Sequence, residues 1–353
     1  MTRRIAILEH AGASTSATGV RGRAIASFLR GRGHTVDFVG PSADEMRALA
    51  RSRVGLRARV ARRLSGRRAL SHMWDLVADA IEPRVRAGRY DVVIARSQDV
   101  AGVLARGIPG RAIYDLANIG FLEEYHAWGS NLDDVEDSFD REMRVFESAS
   151  FILSPHQLLT NYFMHHFASR PDINAKIRAV RLGAEPATRT ARYSSPPRIV
   201  YAGSYYYIQD PYLLSELSRI SPVPIDCYGF RDPNRRFLPS PLAYKGYRQT
   251  TDFLADYQFG LITVSRDALR QHSPSTKFPY YFAHGLPVLF PAWMKEGFEY
   301  SMCALPYTEA TFAAVVEAAS DATRWNEMSA AASALGRELS WSNVLQPLVK
   351  IVD

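Results

Sequence analysis

One stretch near the middle of the chain breaks an otherwise regular rhythm. From Gly183 to Arg198 the sequence reads GAEPATRTARYSSPPR, where Pro, Ser, Thr and Arg recur with no apolar period. Before it, RIAILEH, TVDFV, YDVVIARS, RAIYD, FILS and KIRAVRLG read as short buried strands separated by longer amphipathic segments such as HMWDLVADAIEPRVRAGR and DDVEDSFDREMRVFESA. After it the same alternation restarts with RIVYAGS, DPYLLSELSRI, PIDCYGF, LAYKGYR, FGLITVS and LPVLFP, and it ends in two alanine-rich helices between Thr308 and Leu339. Short strands alternating with helices predict a parallel, doubly wound sheet. The expectation is therefore two α/β domains, at 1–185 and 195–340, with Gly183 to Arg198 as the connection and a last helix over 341–353. Ligands of such sheets bind beyond the carboxyl ends of the strands, so a cleft between the halves is the expected site.

Composition fits that division. With 353 residues, 47% of them hydrophobic, each half is long enough for its own core. Two cysteines, Cys227 and Cys303, are too few for a disulfide framework and lack metal-ligand spacing, which points to a reducing, cytoplasmic setting. The apolar run after MTRR is too short for a signal peptide, and no window approaches the ~18 uninterrupted apolar residues of a membrane span.

The formal charge is +7, and its distribution says more than its size. Between Arg47 and Arg68 the segment RALARSRVGLRARVARRLSGRR carries nine arginines and no acid, with Leu49, Val54, Leu56, Val60 and Leu64 near helical spacing. This is a basic amphipathic pattern suited to an anionic membrane surface, so a peripheral position on the inner face of the membrane is expected. Nucleic acid is disfavoured, because no aromatics are interleaved with the arginines for base stacking.

The segments VYAGS, CYGF, YKGYRQTTDFLADYQFGLITVS and PSTKFPYYFAHGLPVLFP occur in the order found in the nucleotide-sugar domain of GT-B glycosyltransferases. They resemble glycosyltransferase family 4 and, more loosely, the inverting glucuronosyltransferase GumK. GHTVDFVG, YDVVIARS and FILSPHQLLTNYF are similar to the acceptor-binding domain, and LSWSNVLQPLVKIV to the terminal helix that crosses back onto it. The resemblance implies two Rossmann-like domains and sugar transfer from a nucleotide diphosphate donor, with uridine as the base, to a glycan or lipid-linked acceptor. It implies neither a cofactor nor a metal. A nucleotide-sugar 2-epimerase of the same fold is an alternative, disfavoured by the few acids near Lys277; a noncatalytic nucleotide- or lipid-binding partner of an envelope assembly complex is another.

Residue by residue, Lys277 after PST is the expected partner of the donor diphosphate, which gains charge as the glycosidic bond breaks. Ser275 and Thr276 are expected to cap the helix that starts there, with backbone N–H groups facing the phosphate. Gly203 and Gly229 end strands where the backbone approaches a nucleotide. Ser204 and Tyr205 follow the first of these, with Tyr205 to Tyr207 available for stacking, and Arg231 and Arg266 follow strand ends within reach of phosphate or a sugar carboxylate. Tyr280 stands where family 4 has a glutamate that meets the donor sugar, which leans the expectation towards inversion. Inversion requires a base, and Asp115 at the end of RAIYD is the first candidate, with His10, Asp99 and Glu123 as alternatives. The GumK pattern would instead put Asn118 at the catalytic aspartate.

Overall fold

A computed structural model describes residues 2–9, 17–51, 70–127, 132–203, 209–229 and 242–353. The chain divides into two compact units, Met1–Arg181 with Leu345–Asp353, and Leu182–Val344.

The first unit is built on six strands, β1 (Arg4–Leu8), β2 (Thr35–Val39), β3 (Val92–Ala95), β4 (Arg111–Asp115), β5 (Phe151–Ser154) and β6 (Ile177–Ala179). They pair in parallel in the order β2-β1-β3-β4-β5-β6. Helices cover both faces, which is why the strands are apolar runs without alternation: Ile5 to Leu8 and Val92 to Ala95 are buried throughout. The first helix, Ala17–Gly31, stops where Gly33 takes φ +87° and donates its N–H to the Arg30 carbonyl at 2.9 Å. From β2 the chain returns past β1 to lay down β3 on the other side, so the strand order reverses between β1 and β3.

The second unit repeats the plan with β7 (Ile199–Gly203), β8 (Ile225–Gly229), β9 (Ala243–Gly246), β10 (Phe259–Leu261), β11 (Val288–Pro291) and β12 (Ala304–Tyr307), in the order β12-β11-β10-β7-β8-β9. Its reversal lies between β7 and β10. Strand β12 was not expected from the sequence. It is a short edge strand with Pro306 inside it, and an edge position is the one that tolerates a missing N–H.

The expected connection is also not a free linker. Residues 183–198 lie in the second unit and run along it as a strap. Ala184 bridges Ser340, Ala191 N–H donates to the His284 carbonyl at 2.8 Å, Gln258 Nε2 donates to the Arg192 carbonyl at 2.8 Å, and Tyr193 OH donates to the Ser320 carbonyl at 2.8 Å. Scattered backbone and side-chain contacts with distant residues hold this segment instead of a regular ladder, so its sequence carries no period.

The last helix, Gln346–Val352, packs on the first unit through buried Leu348, Ile351 and Val352. Arg111 donates to the Ile351 carbonyl, Arg32 Nη2 to Gln346 Oε1 at 2.7 Å and Arg3 Nη2 to the Asp353 carbonyl at 3.2 Å. Among the described residues no helix is long and apolar enough to cross a membrane, and no group of three or more His, Cys, Asp or Glu is gathered as metal ligands would be.

Candidate functional site

The strand-order reversal of the second sheet is where its chemistry collects. The helix Lys277–Ala283 leads from the loop after β10 into β11 and turns into that strand through Gly285 at φ +71°. Two of its side chains reach the reversal. Tyr281, buried, accepts a hydrogen bond from Ala202 N–H at 3.0 Å and donates its own OH to the Leu261 carbonyl at 3.1 Å, so one phenol joins β7 to β10. Its ring lies over Gly260, where a Cβ would stand 2.4 Å from Cδ2.

Lys277 lies one turn earlier, half-buried, with its stem against the end of β7. A Cβ on Gly203 would meet Lys277 Cε at 2.7 Å and Nζ at 3.1 Å. A side chain at 203 would thus push the ammonium end of the lysine aside. Nζ sits 5.4 Å from the Tyr201 ring centroid and donates to Gln209 Oε1. Burial disfavours its charge and pushes its pKa down to about 8. Among the described residues no carboxylate forms an ion pair with it. A desolvated ammonium at the carboxyl end of a parallel sheet, beside a strand-terminal glycine, is chemically disposed to receive an anion.

The helix start contributes less than the sequence suggested. The helix has seven residues, Thr276 at its N-cap makes no side-chain cap bond, and Ser275 Oγ accepts only from Lys277 N–H at 3.3 Å. Ser275 N–H is not available to a phosphate, because it donates to Glu296 Oε2 at 2.7 Å. Glu296, 3% exposed, is a buried acid near Lys277 that sequence reasoning missed; its other oxygen accepts from Tyr300 OH at 3.3 Å. Gly229 stands in register beside Gly203. Arg266 is exposed, its guanidinium 5.9 Å from the Trp293 ring centroid, and Tyr280 is half-buried on the helix. Ser204, Tyr205 and Arg231 lie outside the described residues.

The first unit gathers its charges at the corresponding reversal between β1 and β3 and at the adjoining end of β4. Asp115 is 1% exposed and held from two sides. Arg21 of the first helix donates Nε to both carboxylate oxygens, at 3.1 and 3.0 Å, and Nη2 to Oδ1 at 2.9 Å; Arg96, just past β3, donates Nε to Oδ2 at 2.8 Å. Burial alone would raise this carboxyl, but the two guanidiniums outweigh it and keep the pKa below its ordinary value. A buried carboxylate so engaged is a poor proton acceptor. The structure places the expected base Asp115 as the anchor of Arg21, which also donates to the Val180 and Arg181 carbonyls at 3.0 and 2.9 Å.

A better-placed acid is Glu9, immediately after β1. Its Oε2 is buried and accepts no hydrogen bond from the described residues, and burial raises its pKa despite the pull of Arg96 and Arg23. A Cβ on Gly22 would lie 2.3 Å from that oxygen and 2.9 Å from Arg96 Nη1, so the glycine makes room for both groups. Of the other candidates, Asp99 and Glu123 fall in the first turns of the helices Gln98–Ala101 and Gly120–Ala127, Asn118 Oδ1 accepts from the next N–H at 3.0 Å, and His10 is outside the described residues. Nearby, Glu142 is fully buried and pushed up to about 7 by that burial, although it accepts from Tyr114 OH and from the N–H groups of Gly120 and Phe121 at 2.9–3.1 Å.

No protein-family model matches the sequence, and no curated protein matches it. Solved structures do. The chain aligns with Anabaena Alr3699/HepE in complex with UDP over 99% of both chains, at 14% identity and a TM-score of 0.65. The same protein in complex with UDP-glucose gives 12% identity and a TM-score of 0.65 over 99% of each. The spinosyn forosaminyltransferase SpnP aligns over 100% of both chains at 14% identity and a TM-score of 0.54. The chain has the GT-B fold. At this identity the likeness concerns the fold; the chemistry rests on the residues above. In this fold Lys277 and Glu9 each stand at the reversal point of one of the two sheets.

Proposed function

We propose that the chain is a glycosyltransferase that moves one sugar from a UDP-sugar to a hydroxyl of a glycan or lipid-linked acceptor. Lys277 carries the reading. It is a desolvated cation at the reversal of the second sheet, with its stem against a strand-terminal glycine and, among the described residues, a neutral side chain as the hydrogen-bond partner of its ammonium. The diphosphate of a leaving nucleotide is the ligand that such a cation stabilises most as the glycosidic bond breaks. That two structures of the same fold carry UDP or UDP-glucose supports uridine as the base.

In this reading the first unit takes the acceptor, and Glu9 accepts the hydroxyl proton. Its carboxylate is more basic than that of Asp115 and has an oxygen not committed to a described donor. A base that takes the hydroxyl proton suits transfer with inversion.

Titration calorimetry with UDP tests the proposal. Lys277→Ala should weaken binding by about 2 kcal/mol, roughly 30-fold, as expected for a charge-assisted contact to phosphate. Because the lysine loses its proton above about pH 8, wild-type affinity should fall roughly tenfold per unit beyond that value, and the variant should lack this slope. A folded Lys277→Ala protein that binds UDP as tightly as wild type would overturn the assignment.

A further inference from the structure

Lys277 has a partner whose chemistry is unusual for its position. Gln209 Oε1 accepts from Nζ, although a carboxylate would satisfy a desolvated ammonium far better. The backbone around Gln209 is fixed from both sides. Its carbonyl accepts from Thr263 Oγ1, and Thr263 is fully buried two residues after β10. The next residue, Asp210, takes φ +47° and caps the helix Pro211–Ile220 by accepting from Leu213 N–H at 2.9 Å. The main chain is therefore pinned, while among the described residues Lys277 is the hydrogen-bond partner of the side chain. Such a residue can swing about its own χ angles without moving the sheet.

We propose that Gln209 is an exchangeable placeholder on Lys277: its amide oxygen occupies the hydrogen-bonding direction that a donor phosphate oxygen takes over when it binds. The inference rests on the reading of Lys277 as the diphosphate ligand. A neutral amide keeps the ammonium hydrogen-bonded and aimed, yet yields to an anion, whose full negative charge adds a Coulomb attraction to the ammonium that an amide oxygen lacks. A glutamate at 209 would form an ion pair that the incoming diphosphate would have to break. The amide thus sets how readily the site accepts an anion, and it makes the site selective for anionic over neutral ligands.

The experiment compares wild type, Gln209→Ala, Gln209→Asn and Gln209→Glu by calorimetry with UDP and with inorganic pyrophosphate. Lys277 is followed by NMR of its side-chain carbons across the pH range, and thermal melts show that each variant is folded. Gln209→Glu should weaken UDP binding at least tenfold and raise the pKa of Lys277. Gln209→Ala and Gln209→Asn, which cannot reach Nζ, should bind UDP within threefold of wild type or more tightly. A tenfold or greater loss in Gln209→Ala and Gln209→Asn, meaning that the amide itself holds the donor, overturns the placeholder role while leaving Lys277 as phosphate ligand. Wild-type affinity in Gln209→Glu overturns it as well. If wild type binds neither UDP nor pyrophosphate, the reading of Lys277 fails first and this inference with it.

Discussion

At the scale of single residues, Asp115 and Glu9 show how two strand-end carboxylates are given different roles by what surrounds them. Asp115 is the last residue of β4 and Glu9 the first after β1. The actual work of Asp115 depends on Arg21 and Arg96, and the first of these is 94 positions away, a pairing that no local pattern reveals. The comparison Asp115→Asn against Glu9→Gln separates the roles. Asp115→Asn leaves two buried guanidiniums without their counter-charge and should cost about 3–5 kcal/mol in urea unfolding, with UDP affinity unchanged. The stability Asp115 provides should be present above the ordinary carboxylate pKa and disappear as the pH falls through its depressed folded value. Glu9→Gln should keep wild-type stability or gain some, and slow the release of UDP from a UDP-sugar by about 100-fold. If Asp115→Asn proves as stable as wild type and slow, while Glu9→Gln turns over normally, the two assignments must be exchanged.

At the scale of elements, most strands were legible because burial on both faces demands uninterrupted apolar runs, and the helix Lys277–Ala283 was legible as aromatics and alanine between a polar turn and Gly285. The strap at 183–198 and β12 were not. Their backbone is satisfied by partners far along the chain, His284 and Gln258 for the strap and the neighbouring β11 for the edge strand. Tyr281 was given no role from the sequence, whereas it is the bolt between β7 and β10 and so fixes the helix that presents Lys277. Gly260→Ala tests this. The added methyl would stand 2.4 Å from a ring that is 1% exposed and has nowhere to retreat. The change should destabilise the protein by about 1–3 kcal/mol and weaken UDP binding at the same time, because overpacking displaces the ring and with it the helix. Loss of stability with unaltered UDP affinity would show that Lys277 is positioned without Tyr281.

At the scale of the whole molecule, the net charge of +7 is concentrated in the arginine-rich segment, of which only the helix Ala43–Arg51 falls among the described residues. There Arg47 already has an acidic partner, Asp44 at 2.5 Å, just upstream of the stretch that contains no acid. The arginines from Arg53 to Arg68 lie outside the described residues, and their role remains the one the sequence proposes. The protein should pellet with vesicles of anionic lipid at low salt, release as salt rises, and lose this binding on Arg→Gln changes at Arg57, Arg59, Arg62 and Arg63. Equal pelleting with neutral vesicles would dismiss an electrostatic attachment. One feature of the chain path bears on how the molecule is made. Because Leu345–Asp353 belongs to the first unit, the ribosome emits the whole of the second unit before the piece that completes the first. Arg3, Arg32 and Arg111 are synthesised before the second unit, and their partners on the helix Gln346–Val352 after it. The first unit therefore receives that helix only once the whole second sheet has been synthesised, and folds without it until then.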